Sequence, residues 1–184
     1  MPTTYHPPLP SDPVLPLLAH AMERWHERLH EAKVRVCVLW AANEDGPPLK
    51  HGGYKVLAKV KVLSLKERVR SRLDGATGYD AELLIDEEEY RDLDDDSKVA
   101  LLDSMLESLD TVEKDIDGRT VLQRDDIGRP KLKRVEGDIF GGSGFAAVIE
   151  RHGEWAIELI STRRAYGHAQ AALAESQGEH RAEG

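Results

Sequence analysis

The sequence predicts an α+β domain in which a short antiparallel sheet packs on helices, with an N-terminal arm before it and a C-terminal helix after it. Three observations predict this class. Apolar residues recur at helical spacing over 14–29 and 97–109. They run or alternate in the short segments 33–42, 54–62 and 79–86. The 184 residues are 40% hydrophobic but hold only two Phe, five Tyr and three Trp, which suits one core built from Leu, Val, Ile and Ala rather than two domains. The expected division is an arm over 1–12, a domain over 13–160, and a C-terminal helix with a frayed tail over 161–184.

Six of the nine prolines lie within the first 16 residues, so 1–12 is expected to be extended or loosely held. Val14, Leu17, Leu18, Ala21, Met22, Trp25 and Leu29 then share one face of a single amphipathic helix. Pro13 or Pro16 sits in its first turn, where proline is tolerated. The run 33–42 reads as a strand, and GPP and HGG over 46–53 as the loop to a second strand. There Tyr54, Val56, Ala58, Val60 and Val62 fall on a buried face and Lys55, Lys59 and Lys61 on a wet, basic one. Ser64 and Glu67 have capping-box spacing and predict a helix over 65–73, which DGATG ends. A third strand over 79–86, an acidic turn, and a helix over 97–109 capped by Asp95 or Asp96 follow. Asp117-Gly118 and Gly128 mark hairpin turns. GGSG over 141–144 reads as a connection to a helix starting near Phe145, since it lacks the Lys-Ser or Lys-Thr of a phosphate loop. An Ala-rich helix closes the chain.

The balance of 25 basic against 34 acidic residues gives −9, which argues against a general nucleic-acid binder held by phosphate neutralisation. The local basic strand Lys55, Lys59, Lys61 is the exception. Residues 50–72 hold eight Lys or Arg against Glu67 alone, a balance of +7, and 82–117 hold fifteen Asp or Glu against three basic residues, a balance of −12. Either these are solvated faces, or the acidic stretch docks onto a basic partner and steers the encounter. The lone Cys37 excludes an intrachain disulfide and a cysteine-rich zinc site, and is expected to be a small core residue. No apolar stretch approaches the roughly 20 residues that span a bilayer, and the N-terminus lacks signal-peptide character, so a soluble, cytoplasmic protein is expected.

The order helix, strand, strand, helix, strand and then ALLDSMLESL resembles the putative phage metallopeptidase family. The phrase LLIDEEEYRDLDDDSKVALLD at 83–103 and the later Asp138-Ile139 with FAAVIERHGEW at 145–155 carry the resemblance, which spans roughly 12–157. It implies a small zinc-peptidase-like domain in which HExxH follows the first phrase directly. That motif sets two imidazoles four residues apart on one helix face, where they converge on Zn²⁺, with a Glu to take a proton from the bound water. Here the first His position holds Ser104, the Glu position Met105 and the second His position Ser108. Hydroxyls are poor zinc ligands beside imidazole, and a thioether is no base. Where the family's later phrase begins with a third His, this chain has Gly137, and an apparent extra Gly-Gly-Ser shifts the spacing beyond it.

The resemblance therefore implies a degenerate member, without catalytic residues, metal or cofactor, that acts in the host cell by binding. The acidic residues Asp86, Glu87, Glu88, Glu89, Asp94, Asp95, Asp96, Asp103 and Glu107 are its expected contact set. The expected partner is a protein with a basic surface, a host nucleic-acid-binding protein being the most concrete case, with the acidic face imitating DNA. Asp103 and Glu107, four apart, are expected to face solvent as a charged surface, away from Val99, Leu102, Leu106 and Leu109. His26 and His30 read as a surface pair and His152 as a helix end. Two alternatives remain: a metal-dependent hydrolase with a site rebuilt from Asp103, Glu107, Glu136, Asp125, Asp126 or a histidine, and a virion or scaffold component tied together by its two ends.

Overall fold

The structure, a computed structural model, describes residues 2–73, 78–138 and 144–160. The expected C-terminal helix over 161–184 and most of GGSG lie outside them. Strand β1 (Thr4–His6) falls inside the expected arm and pairs antiparallel with the central strand β2 (Val36–Ala42). Between them α1 (Val14–Trp25) starts after Pro13, with Asp12 Oδ1 accepting the Val14 N–H at 3.0 Å. The helix does not run on to Leu29 unbroken. His26 leaves helical geometry at φ −122° and ψ 54°, and a separate α2 (Glu27–Glu31) follows.

The second strand divides as well. Lys50–His51 (β3) and Tyr54–Lys55 (β4) make a small hairpin over Gly52-Gly53, and only Ala58–Val62 (β5) enters the main sheet. Tyr54, placed by alternation on a buried face, is 80% exposed. Helix α3 (Leu65–Leu73) begins at the expected capping box: the Ser64 N–H donates to Glu67 Oε2 at 2.8 Å, and the Glu67 N–H to Ser64 Oγ at 3.4 Å. Strand β6 (Ala81–Asp86), the short α4 (Glu87–Arg91) and α5 (Asp95–Glu107) follow. The main sheet has the order β1-β2-β6-β5. It is antiparallel at both edges and parallel at its centre, because the chain between β2 and β6 crosses over to bring β6 in beside β2 in the same direction.

Strand β7 (Leu109–Thr111), the hairpin β8 (Glu113–Ile116) and β9 (Arg119–Leu122), and β10 (Leu132–Arg134) pairing back on β7 form two satellite ribbons. The hairpin turns at Asp117-Gly118 with φ 54° and 77°, the positive pair a type I′ turn requires. Helix α6 (Ala146–His152) and a 3-10 turn (Gly153–Trp155) complete the described chain. One core joins Val14, Leu18 and Ala21 of α1, Val38 and Trp40 of β2, Leu83 and Ile85 of β6, and Leu101, Leu102, Met105 and Leu106 of α5. Cys37 is half-buried rather than central, and burial, with Glu82 nearby, pushes its thiol up to about 11. No described helix is long and apolar enough to cross a membrane.

Candidate functional site

Helix α5 is held at both ends by side chains. At its start the cap is Asp94, one residue before the expected pair: Oδ1 accepts the Ser97 N–H at 2.8 Å and Oδ2 the Ser97 hydroxyl at 2.9 Å. At its end the Ser108 hydroxyl donates to the Met105 carbonyl at 2.7 Å. Met105 is buried among the core apolar residues, and the half-buried Ser104 donates to Glu158 Oε1 at 2.6 Å. Ser104, Met105 and Ser108 therefore serve a cross-helix contact, the core and a helix end. Taken at the positions the resemblance assigns, this donor set does not fit a zinc ion, because it supplies no imidazole and turns its middle side chain away from any cleft.

The same helix carries Asp103, and here the expectation of a solvated face is overturned: its carboxylate is fully buried. Asp103 Oδ1 lies 2.7 Å from His26 Nε2 and 2.9 Å from Arg151 Nη2, and Oδ2 lies 2.7 Å from Arg151 Nε and 2.8 Å from His152 Nε2. Four donors occupy its acceptor capacity, and since an ionised carboxylate only accepts, both imidazoles present an Nε2 proton to it. The half-buried Glu107 accepts from Arg151 Nη2 at 2.7 Å. Burial pushes the Asp103 carboxyl up, but the hydrogen bonds from His26 and Arg151 more than offset it and hold it below the usual range. Burial lowers Arg151 likewise, and its bonds to Asp103 and Glu107 reverse the effect.

The break in the helix at residue 26 explains how this hub forms. It turns the His26 ring inward, so His26 is buried and His30 exposed, and the two do not form the expected surface pair. Helix α6 then brings Arg151 and His152 over the face of α5 that spacing alone left open to water. The His152 ring also stands edge-on to Trp25 at 4.8 Å between centroids. Sequence reading missed Arg151 and Glu158; the ERHG phrase was the one local signal for the former.

Among the described residues, His26, Asp103 and Glu107 are the group whose potential ligand atoms converge, all within 4.8 Å of one another. Arg151 already donates to both carboxylates, however, and His26 Nε2 already serves Asp103, so an ion entering here would have to displace existing hydrogen bonds. Of the other ligands considered for a rebuilt site, Glu136 and Asp126 are exposed. Asp125 accepts the Ile127 and Arg129 N–H groups at 3.0 and 2.8 Å and pairs with Arg68 at 3.1 Å.

The acidic stretch is less uniform than its composition. Glu88, Asp94, Asp95 and Asp96 are exposed, and Glu87, Glu89 and Glu107 half-buried. Asp86, expected on the contact surface, is instead buried and caps α4, its Oδ1 accepting the Glu89 N–H at 3.2 Å. The basic strand meets this stretch directly. Lys55 reaches Glu89 at 2.7 Å, and Lys61 reaches Glu67 at 2.6 Å and Glu82, its partner across β5 and β6, at 3.6 Å. Lys59 is half-buried.

A small α+β domain with a mixed sheet packed on a long, mostly buried helix is the class these features define. The chain belongs to the family described as putative phage metallopeptidase, whose profile matches residues 11–170. Comparisons with curated proteins and with solved structures found no match.

Proposed function

We propose that this family member acts by binding rather than by hydrolysis, capturing a protein partner with a basic surface, of which a host nucleic-acid-binding protein is the leading class. One observation carries the reading: at 104, 105 and 108 the side chains are two hydroxyls and a buried thioether, all engaged in packing or capping, so neither ion nor activated water has a holder there. The exposed carboxylates Glu88, Asp95 and Asp96 favour a cationic partner and a fast, salt-sensitive encounter.

The test has two arms. Untagged protein purified without chelators is assayed for bound zinc and for hydrolysis of an unstructured protein substrate; the expected result is neither. Affinity capture from host lysate is then repeated with Glu88→Lys, Asp95→Lys and Asp96→Lys combined. These exposed charges each contribute well under about 1 kcal/mol to stability, so folding persists while capture is lost. Unchanged capture overturns the binding reading.

The convergence of His26, Asp103 and Glu107 favours a second reading, a hydrolase with an atypical metal site. Stoichiometric zinc that disappears in Glu107→Gln would establish it in place of the first.

A further inference from the structure

Strand β6 separates two charge regions of opposite sign. The acidic α4 follows its last residue, Asp86, whereas α3 and the loop over 124–131 gather at its start, around Asp80. The six residues of β6 span about 17 Å, roughly two Debye lengths at about 0.15 M salt. The net charge of −9 therefore does not decide what binds at the far end.

Buried side chains build that end as one platform. Asp80 is fully buried; its Oδ1 accepts from Arg129 Nε at 3.1 Å and its Oδ2 from the Arg35 N–H at 2.8 Å. Arg68 of α3, itself buried, lies 3.5 Å from Asp80 and donates to Asp125 Oδ2 at 3.1 Å and to the Pro130 carbonyl at 2.8 Å. Arg68 and Arg129 thus balance Asp80 and Asp125 inside while they hold α3 against the loop. What they present outward is cationic. Lys66 and Arg70 stand one turn apart on the side of α3 opposite Arg68, and with Arg72, Arg124 and Lys131 they are exposed. Lys66, Arg70, Arg72 and Lys131 make no ion pair among the described residues. Arg124 donates to the Gly128 carbonyl at 2.9 Å, which leaves its charge uncancelled. Glu67 is bound to Lys61 at 2.6 Å, so Asp126 is left as the exposed, unpaired carboxylate of these two segments.

We infer that this face binds duplex DNA through its phosphate backbone. The surface is separate from the acidic one, and the inference is independent of the protein-binding reading. Charge complementarity selects a polyanion, and DNA carries a charge about every 1.7 Å of its axis. The cations sit on two elements rather than along one, which suits backbone contact without sequence readout. A single strand is gripped by stacking its bases on aromatic rings, and neither 65–73 nor 124–131 contains an aromatic residue. Duplex RNA calls for side chains that address 2′-hydroxyls, and the described exposed side chains of these segments include no hydroxyl or amide.

The full chain is titrated against a short mixed-sequence DNA duplex, the matching single strand and the matching RNA duplex, read by fluorescence anisotropy from about 50 to 200 mM salt. The expected result is tightest binding to duplex DNA, with log K falling against log salt at a slope of about −4.5, the counterion release of about five phosphate contacts. Lys66→Gln with Arg70→Gln should make that slope shallower by about 2 and weaken binding more than tenfold at about 0.1 M salt. Arg24→Gln with Lys50→Gln removes the same charge from exposed positions on α1 and β3, outside both this face and the acidic contact set, and should leave the slope unchanged. Exposed charges contribute little to folding, so both double variants fold. Equal losses in the two variants, preference for the single strand or the RNA duplex, or no binding at the lowest salt would each overturn the inference. Salt-sensitive self-association, seen by sedimentation without DNA and lost in Lys66→Gln with Arg70→Gln, would also overturn it, because the occupant would then be the acidic α4 end of a second copy.

Discussion

Asp103 is the residue on which three helices agree, since α1 ends beside it with His26, α5 carries it and α6 supplies Arg151 and His152. Asp103→Ala leaves the His26 and His152 ring N–H groups without their acceptor and Arg151 with Glu107 alone, and should lose roughly 1–3 kcal/mol of stability in urea unfolding. The pH dependence has a definite sign. Because the folded carboxyl lies below its unfolded value, its stabilisation is complete above about pH 4 and disappears as pH falls through the folded value. Glu67, drawn down to about 2 chiefly by its hydrogen bond from Lys61 and then by Ser64, acts in the same direction, although its exposure weakens the effect. Acid titration of the unfolding midpoint should therefore show steady loss between about pH 4 and 2; a flat profile would contradict the hub. At this scale the sequence was legible where partners are neighbours. The Ser64 and Glu67 box could be read from spacing alone, whereas the donors to Asp103 lie some 50 and 80 positions away. No helical wheel reports what a later helix lays over it.

Among the elements, the short α2 closes in a way that suggests an improvement. Lys33 N–H donates to the His30 carbonyl at 2.9 Å and Val34 N–H to the Leu29 carbonyl at 3.0 Å, with Leu29 and Val34 both buried. This is a Schellman ending, and Lys33 occupies its left-handed position at φ 56°. Lys33→Gly should raise stability by about 0.5–1 kcal/mol, the strain removed exceeding the entropy glycine adds to the unfolded chain. Its carbonyl, which accepts from Arg129 at 2.7 Å, is kept. The hairpin of β8 and β9 behaves differently, since its residues are exposed apart from a half-buried Leu122. Gly118→Ala, at φ 77°, should speed amide exchange across 113–122 while the global unfolding midpoint holds. Turn chemistry made that hairpin readable, and the helices over 65–73 and near 146 came with it. What alternation could not convey was the parallel pairing of β2 with β6, which depends on how the intervening chain crosses, or the detour of Tyr54 into a separate ribbon.

For the molecule as a whole, the two charge blocks so distinct along the chain are partly joined in space. Lys61 faces Glu82 across the sheet and Lys55 reaches Glu89, so the field around α4 and the start of α5 is set by the carboxylates left over there. Helix α5 meanwhile sits so deep that its middle has become core. Writing HExxH at the positions the resemblance assigns, with Ser104→His, Met105→Glu and Ser108→His, would place a carboxylate where a thioether packs and remove the hydroxyl that closes the helix. Burying an uncompensated charge costs several kcal/mol, enough to consume much of the roughly 5–15 kcal/mol available to a domain of this size. The triple variant should therefore melt well below the native chain, and added zinc should not return the melting temperature, because Gly137 supplies no third imidazole. A zinc-dependent recovery of both stability and hydrolysis would mean that the site is only three side chains from working, and would remove the ground for reading this helix as a packing element that now serves a binding protein.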